Sequence, residues 1–191
     1  MQDRSRTTAL SHNFEGLCVV AFESRRADDM ARLIQKHGGV PKVTPSMREL
    51  PFEENQLAID FANRLIAGKI DVIIFLTGVG IRYLIKQIES NVDLQEFLTA
   101  VRNVHTIARG PKPLAALREL GIQATYQVPE PNTWRELLST LDANLSLANQ
   151  TVGLQEYGKS NPSLIAGLEA RGAKVVSLRV YEWDLPEDTK P

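Results

Sequence analysis

The chain has 191 residues, with 22 Lys and Arg against 23 Asp and Glu, which gives a formal net charge of −1. This balance argues against a nucleic-acid partner, and a single cysteine excludes a disulfide framework or a cysteine-rich zinc site. No apolar run reaches the roughly 18 residues of a membrane span, and the polar start at residues 1–12 lacks the apolar stretch of a signal peptide. We therefore expect a soluble protein of one or two domains in the reducing cytoplasm.

Short apolar runs alternate with amphipathic stretches along the chain, after a flexible tail at residues 1–13. The predicted strands are 17–22, 40–44, 71–76, 104–108, 122–128, 151–155 and 174–181, and the predicted helices are 26–37, 56–67, 81–88, 94–101, 112–120, 134–145 and 163–171. Residues 45–54, with two prolines and three glutamates, predict a linker or domain crossing. The alternation predicts parallel strands with helices on both faces, an α/β doubly wound fold, in one sheet or two.

The residues that follow each strand are the candidate site, because ligands of open α/β sheets bind beyond the carboxyl ends of the strands. These residues are 23–25, 77–80, 109–112, 129–133 and 156–160. Backbone N–H groups at a helix start, with a cation nearby, form an anion site. Several such turns at one edge predict a ligand with several carboxylates or phosphates. Each turn alone also has a structural explanation, since Gly and Thr are ordinary turn and cap residues.

Named nucleotide and metal motifs are missing from the sequence. Gly78 and Gly80 begin a G-x-G-x-x-G pattern that Tyr83 breaks, and no P-loop sequence occurs. The three histidines lack metal-ligand spacing, so no metal site is predicted. Cys18, in the middle of the first strand, is predicted to be a buried small apolar residue.

Four segments resemble uroporphyrinogen-III synthase in their order and spacing. They are Phe75–Leu84, Ala108–Gly121, Leu154–Gly158 and Val180–Trp183, and the resemblance covers about residues 16–191. It implies two flavodoxin-like α/β domains joined by a two-stranded linker. Residues 14–46 would be the first part of domain one, residues 47–177 domain two, and residues 178–191 the strand that returns toward domain one.

In the family, a further C-terminal stretch completes domain one, whereas this chain ends at Pro191. One strand–helix–strand unit leaves a sheet face and an edge uncovered. We therefore expect a truncated chain with an incomplete domain one, which puts its catalytic competence in question. Strands borrowed from a partner, or a single sheet, are the alternatives.

The resemblance implies a lyase of heme and tetrapyrrole biosynthesis that cyclises hydroxymethylbilane to uroporphyrinogen III, with inversion of ring D and loss of water. The reaction needs no cofactor and no metal, and the only expected partner is this small-molecule substrate, without nucleic acid or membrane. The oligomeric state stays open, with a monomer expected for a complete family member. The substrate's many carboxylates suit a rim of N–H groups and cations, and catalysis would consist mainly of proximity and orientation.

The resemblance also implies the roles of individual residues. Carboxylates would be bound by Thr77, Gly78, Val79 and Gly80 with Arg82, by Arg109, Gly110 and Lys112, by Tyr157, Gly158 and Lys159, and by Arg25, which would close the cleft from domain one. Tyr181 matches the family's tyrosine in its strand and would protonate the departing hydroxyl.

Two other functions stay open. One is a non-catalytic α/β module that uses the same turns to bind a polycarboxylate or other organic anion. The other is a Rossmann-like nucleotide enzyme, which the interrupted glycine pattern disfavours.

Overall fold

The computed structural model describes residues 13–52 and 55–186, in which strands and helices alternate. The strands are β1 (Cys18–Ala21), β2 (Val40–Val43), β3 (Arg48–Pro51), β4 (Val72–Phe75), β5 (His105–Ala108), β6 (Tyr126–Gln127), β7 (Thr151–Gln155), β8 (Lys174–Leu178) and β9 (Tyr181–Asp184). The helices are α1 (Ala27–Lys36), α2 (Gln56–Ile66), α3 (Gly78–Ile88), α4 (Leu94–Arg102), α5 (Pro111–Glu119), α6 (Trp134–Asn144) and α7 (Pro162–Glu169). Residues 1–12 of the predicted tail and 187–191 of the predicted return segment lie outside the described residues.

A five-stranded parallel sheet, in the order β6-β5-β4-β7-β8, forms the centre of the larger part of the chain. All four residues of β4 are buried, because α2 to α5 pack on one face of the sheet and α6 and α7 on the other. The predicted α/β fold with parallel strands and helices on both faces is thereby confirmed. Counted from β4, the order is 3-2-1-4-5, which differs from the 2-1-3-4-5 order of flavodoxin itself and reverses between β4 and β7.

Two of the predicted strands have different bounds in the structure. The predicted strand 122–128 is reduced to β6, because the Ile122 N–H donates to the Leu117 carbonyl and so still belongs to the end of α5. The predicted strand 174–181 is two strands. The first of them, β8, stops pairing with β7 after Leu178, whose carbonyl accepts from the Glu156 N–H. The second, β9, pairs with β3 in a separate two-stranded sheet.

The chain divides into two compact units, one with residues 1–48 and 184–191 and the other with residues 49–183. In the first unit, β1 and β2 pair in parallel with each other. Val20 and Val40 are 52% and 55% exposed. Within the described part of the chain, the two strands and α1 therefore leave these apolar side chains uncovered. Cys18 is exposed for the same reason, and its predicted burial is wrong. Within the described residues, no helix is long and apolar enough to cross a membrane.

A polar cluster on α3 holds the two segments that lead into the β3–β9 sheet. The Gln87 Nε2 donates to the carbonyls of Phe52 (3.0 Å) and Val180 (2.8 Å). Its Oε1 accepts from the Asn55 Nδ2 (3.0 Å), which also donates to the Arg179 carbonyl (2.9 Å). One side chain therefore satisfies backbone groups on both segments.

Replacing Gln87 by methionine is expected to lower the free energy of unfolding by about 1–3 kcal/mol, because both carbonyls lose a donor while the side-chain volume is kept. Urea denaturation followed by circular dichroism measures this change. Gln95→Met is the matched control, since Gln95 is exposed on α4. Equal midpoints for the two variants would show that the cluster contributes nothing to stability.

Candidate functional site

Four turns meet at the carboxyl edge of the five-stranded sheet. We call them the edge turns: residues 77–80 after β4, 109–112 after β5, 129–133 after β6 and 156–161 after β7. A Cβ added to Gly78 would lie 2.5 Å from the Lys112 carbonyl oxygen, and one added to Gly110 would lie 2.6 Å from the Asn132 Oδ1. The sheet therefore places successive turns in direct contact, and glycine is required at position 78, where one backbone passes another.

The turn after β4 presents N–H groups at the start of α3. Thr77 is the N-cap, and its Oγ1 accepts from the Gly80 N–H at 3.0 Å. Gly78 and Val79 are the first two helical residues, whose N–H groups have no acceptor inside a helix. The Thr77 hydroxyl keeps its own proton to donate. A carboxylate at this point would meet two amides, one hydroxyl and the positive end of the helix dipole.

The turn after β5 supplies cations more than amides. Pro111 and Pro113 have no N–H, so Lys112 carries the one amide donor among the first three residues of α5. The Arg109 guanidinium carbon lies 5.5 Å from the centre of the Tyr157 ring, in a cation–π contact that joins this turn to the turn after β7. The Lys112 side chain is exposed, and Arg109 is half-buried.

The turn after β7 is held in a defined shape. Glu156 is 2% exposed, and its Oε2 accepts from the Asn161 N–H at 3.2 Å. The Asn161 Oδ1 in turn caps α7 by accepting from the Leu164 N–H at 3.1 Å. Tyr157 and Lys159 form a one-pair antiparallel bridge, so the backbone reverses between them. The half-buried Tyr157 and the exposed Lys159 therefore stand on a fixed turn and not on a loose loop.

The turn after β6 leads into a helix whose start is already satisfied. Thr133 and Glu136 form a capping box at the N-terminus of α6. The hydrogen bond from the Thr133 hydroxyl is the main reason that the pKa of the Glu136 carboxyl is lowered from its usual value. The protein's own carboxylate therefore occupies this helix start, and the turn contributes packing through Asn132 more than binding.

Three predicted site residues are not part of the edge turns. Arg82 on α3 makes a bidentate ion pair with Glu119 on α5, in which its Nη2 donates to Oε1 at 2.7 Å and its Nε to Oε2 at 3.2 Å. Arg25 is exposed in the turn after β1, in the other compact unit. Tyr181 is 1% exposed and lies between Tyr83 and Trp183, with ring centres 5.7 and 5.9 Å away.

The sequence reasoning missed two residues that pack against the edge turns. Gln155, the last residue of β7, is fully buried beside the turn after β4. Trp183 lies against Gly158, where an added Cβ would be 2.7 Å from its Cδ1. A polar residue that ends an otherwise apolar buried strand could have marked Gln155. Among the described residues, no three His, Cys, Asp or Glu side chains are grouped to hold a metal ion.

Comparisons with known proteins agree on one family. The family model for uroporphyrinogen-III synthase HemD matches residues 28–191. The chain is 33% identical over 173 residues to the uncharacterized protein YjjA of Bacillus subtilis, covering 91% of this chain and 63% of that protein. It is 28% identical over 174 residues to a putative uroporphyrinogen-III synthase of Methanothermobacter thermautotrophicus, covering 91% and 64%.

Solved structures agree with the family match. A mutant uroporphyrinogen III synthase of Thermus thermophilus superposes with a TM-score of 0.71 at 28% identity, over 90% of this chain and 64% of that one. The uroporphyrinogen-III synthetase of Helicobacter pylori gives a TM-score of 0.53 at 12% identity, over 91% and 64%, which shows a shared fold only. The chain thus spans somewhat less than two thirds of the length of these relatives.

Proposed function

The chain belongs to the uroporphyrinogen-III synthase family, and on that premise we propose that its edge turns bind hydroxymethylbilane and cyclise it to uroporphyrinogen III. The observation that supports this proposal most is the convergence of amide and cationic donors from three different turns at one sheet edge. A ligand with a single anionic group would need one such turn. Donors spread along an edge suit a flexible chain that carries carboxylates at intervals.

The residues of each turn have distinct tasks in this proposal. One group of carboxylates is bound by the Gly78 and Val79 amides and the Thr77 hydroxyl. Gly80, in the same turn, packs against the Gln155 side chain. Arg109 and Lys112, with Gly110 between them, bind a second group. Tyr157, Gly158 and Lys159 form the third position. Arg82 would assist from α3, because its ion pair with Glu119 is solvent-exposed and such pairs contribute little to stability.

The reaction requires little from the protein beyond orientation of the substrate. A proton is transferred to the hydroxymethyl oxygen, the carbon–oxygen bond breaks, and water departs as the pyrrole nitrogen supplies an electron pair to form an azafulvene. The substituted carbon of ring D then attacks this carbon to give a spiro intermediate. The bond from the spiro carbon to its original methylene bridge breaks, and the released methylene carbon bonds to the other α-carbon of ring D, which loses its proton. Carboxylates fixed at three positions would fold the chain so that this ring carbon is the nearest nucleophile. In the proposal, Tyr181 supplies the first proton.

The product isomer tests the proposal directly. Hydroxymethylbilane closes spontaneously to isomer I, so we expect the purified chain to shift the product toward isomer III, measured by chromatography after oxidation to porphyrins. An Arg109→Gln, Lys112→Gln double variant should lose most of this shift. Isomer I alone, together with tight binding of uroporphyrinogen III, would instead indicate a non-catalytic module that binds polycarboxylates. The absence of both isomer III formation and uroporphyrinogen III binding would refute the proposal. The proposal also assigns the protein to the cytoplasm, where this substrate would be made.

A further inference from the structure

The structure assigns a positioning role to Gln155: its side-chain amide locks the turn after β4 to the turn after β7 and thereby fixes the direction of the carboxylate-binding N–H groups. This inference rests on the proposed function for its ligand, although the lock itself is a feature of the free protein. Neither the family match nor the resemblance that led to the candidate site assigns any role to this residue.

Gln155 lies where the strand order reverses. It is opposite Phe75 in the register of β4 and β7, and its carbonyl accepts from the Leu76 N–H at 3.2 Å. In open α/β sheets, the crevice between the carboxyl ends of two such strands is the usual ligand site. Here the fully buried side chain of Gln155 lies in that position. A ligand therefore meets the N–H groups at the rim, and not inside the crevice.

Both ends of the amide are engaged by backbone groups of the two turns. The Gln155 Oε1 accepts from the Thr77 N–H at 3.3 Å, and the Nε2 donates to the Glu156 carbonyl. The Thr77 N–H is thus occupied by the protein, whereas those of Gly78 and Val79 follow directly after the locked residue. Fixing the peptide before Gly78 sets the direction in which these two amides point.

Gly80 packs against the side-chain amide of Gln155. A Cβ added there would overlap the Gln155 amide, and its three nearest atoms are all atoms of that side chain. A methyl group at position 80 would therefore displace the amide. This arrangement makes the two positions interdependent, which a double-mutant cycle measures.

The test compares Gln155→Ala, Gly80→Ala and the double variant in the full chain, with uroporphyrinogen III as the titrated ligand. We expect each single variant to raise the Kd about tenfold, and the double variant to bind no more weakly than Gln155→Ala alone. With hydroxymethylbilane, kcat/KM should fall at least about tenfold, with a higher KM as well as a lower kcat, because the misdirected donors both bind the carboxylates and orient the chain. Gln150→Ala is the matched control, about 16 Å away and directly before the start of the same strand.

Three outcomes would overturn the inference: additive effects of the two single variants, a wild-type Kd for Gln155→Ala, or a loss confined to kcat. Failure of the proposed function is recognised separately, because the wild-type chain would then neither bind uroporphyrinogen III nor form isomer III. The lock is in that case judged in the ligand-free protein by amide hydrogen exchange. Thr77 should exchange at least about tenfold faster in Gln155→Ala than in the wild type and in Gln150→Ala, and equal rates would refute the lock.

Discussion

Replacing Gly78 by alanine is expected to reduce both stability and turnover strongly. The new methyl carbon would lie 2.5 Å from the Lys112 carbonyl oxygen, which belongs to the backbone and cannot rotate away. The turns after β4 and β5 must then separate. We expect the free energy of unfolding to fall by about 1–3 kcal/mol, as for other overpacked sites. Turnover should fall about a hundredfold, because a misplacement of about 1 Å in the binding groups has effects of that size.

A matched glycine separates the effect on the site from the effect on stability. Gly153, in the middle of β7, is also buried, and an added Cβ would lie 2.7 Å from the Phe61 Cζ. Gly153→Ala should therefore destabilise the fold without moving an edge turn. Unfolding in urea and formation of isomer III are measured on both variants, with rates corrected for the folded fraction. Similar corrected rates for the two variants would show that the Gly78 contact does not position the ligand.

The fold was largely predictable because its strongest patterns are local. The wholly apolar run at β4 predicts a central strand covered on both faces, and the structure buries all four of its residues. Glycine after a helix is equally informative: Gly121 and Gly172 directly follow the predicted helices 112–120 and 163–171, and their φ angles are 67° and 83°. The strand break after Leu178 was not predictable, because Val180 and Tyr181 continue the apolar pattern beyond Arg179, and the pairing with β7 ends only where the Glu156 N–H donates to the Leu178 carbonyl.

The candidate site was predictable as a location but not as a set of contacts. Parallel strands bring their following turns to one edge, which a sequence pattern can anticipate. The pairing of Arg82 with Glu119 joins residues on different helices, and no local pattern distinguishes it from an arginine that faces the ligand. The exposure of Cys18 depends on how many strands cover β1, which is equally non-local. The tertiary contacts therefore decide which charged side chains are paired with one another.

Replacing Tyr181 by phenylalanine is expected to slow turnover about a hundredfold while the affinity for uroporphyrinogen III stays nearly unchanged. General acids contribute at least about that factor, and the phenol is the proton donor in our proposal. The ring is 1% exposed and is held between Tyr83 and Trp183, so its direction is fixed before the ligand arrives. The proposal requires that the hydroxyl is the part of this side chain that the substrate reaches.

Because Tyr181 is buried, its side chain also contributes to packing. The variants must therefore separate the loss of packing from the loss of the proton donor. Tyr181→Ala would open a cavity and lower the free energy of unfolding by about 3–5 kcal/mol, so its loss of activity would be uninformative. Tyr181→Phe keeps the ring and should stay within about 1 kcal/mol of the wild type. Tyr83→Phe removes a hydroxyl from the neighbouring ring as a control. Single-turnover rates for isomer III within twofold of the wild type in Tyr181→Phe would leave this tyrosine with packing alone, and the first proton would have to come from another donor at the edge turns.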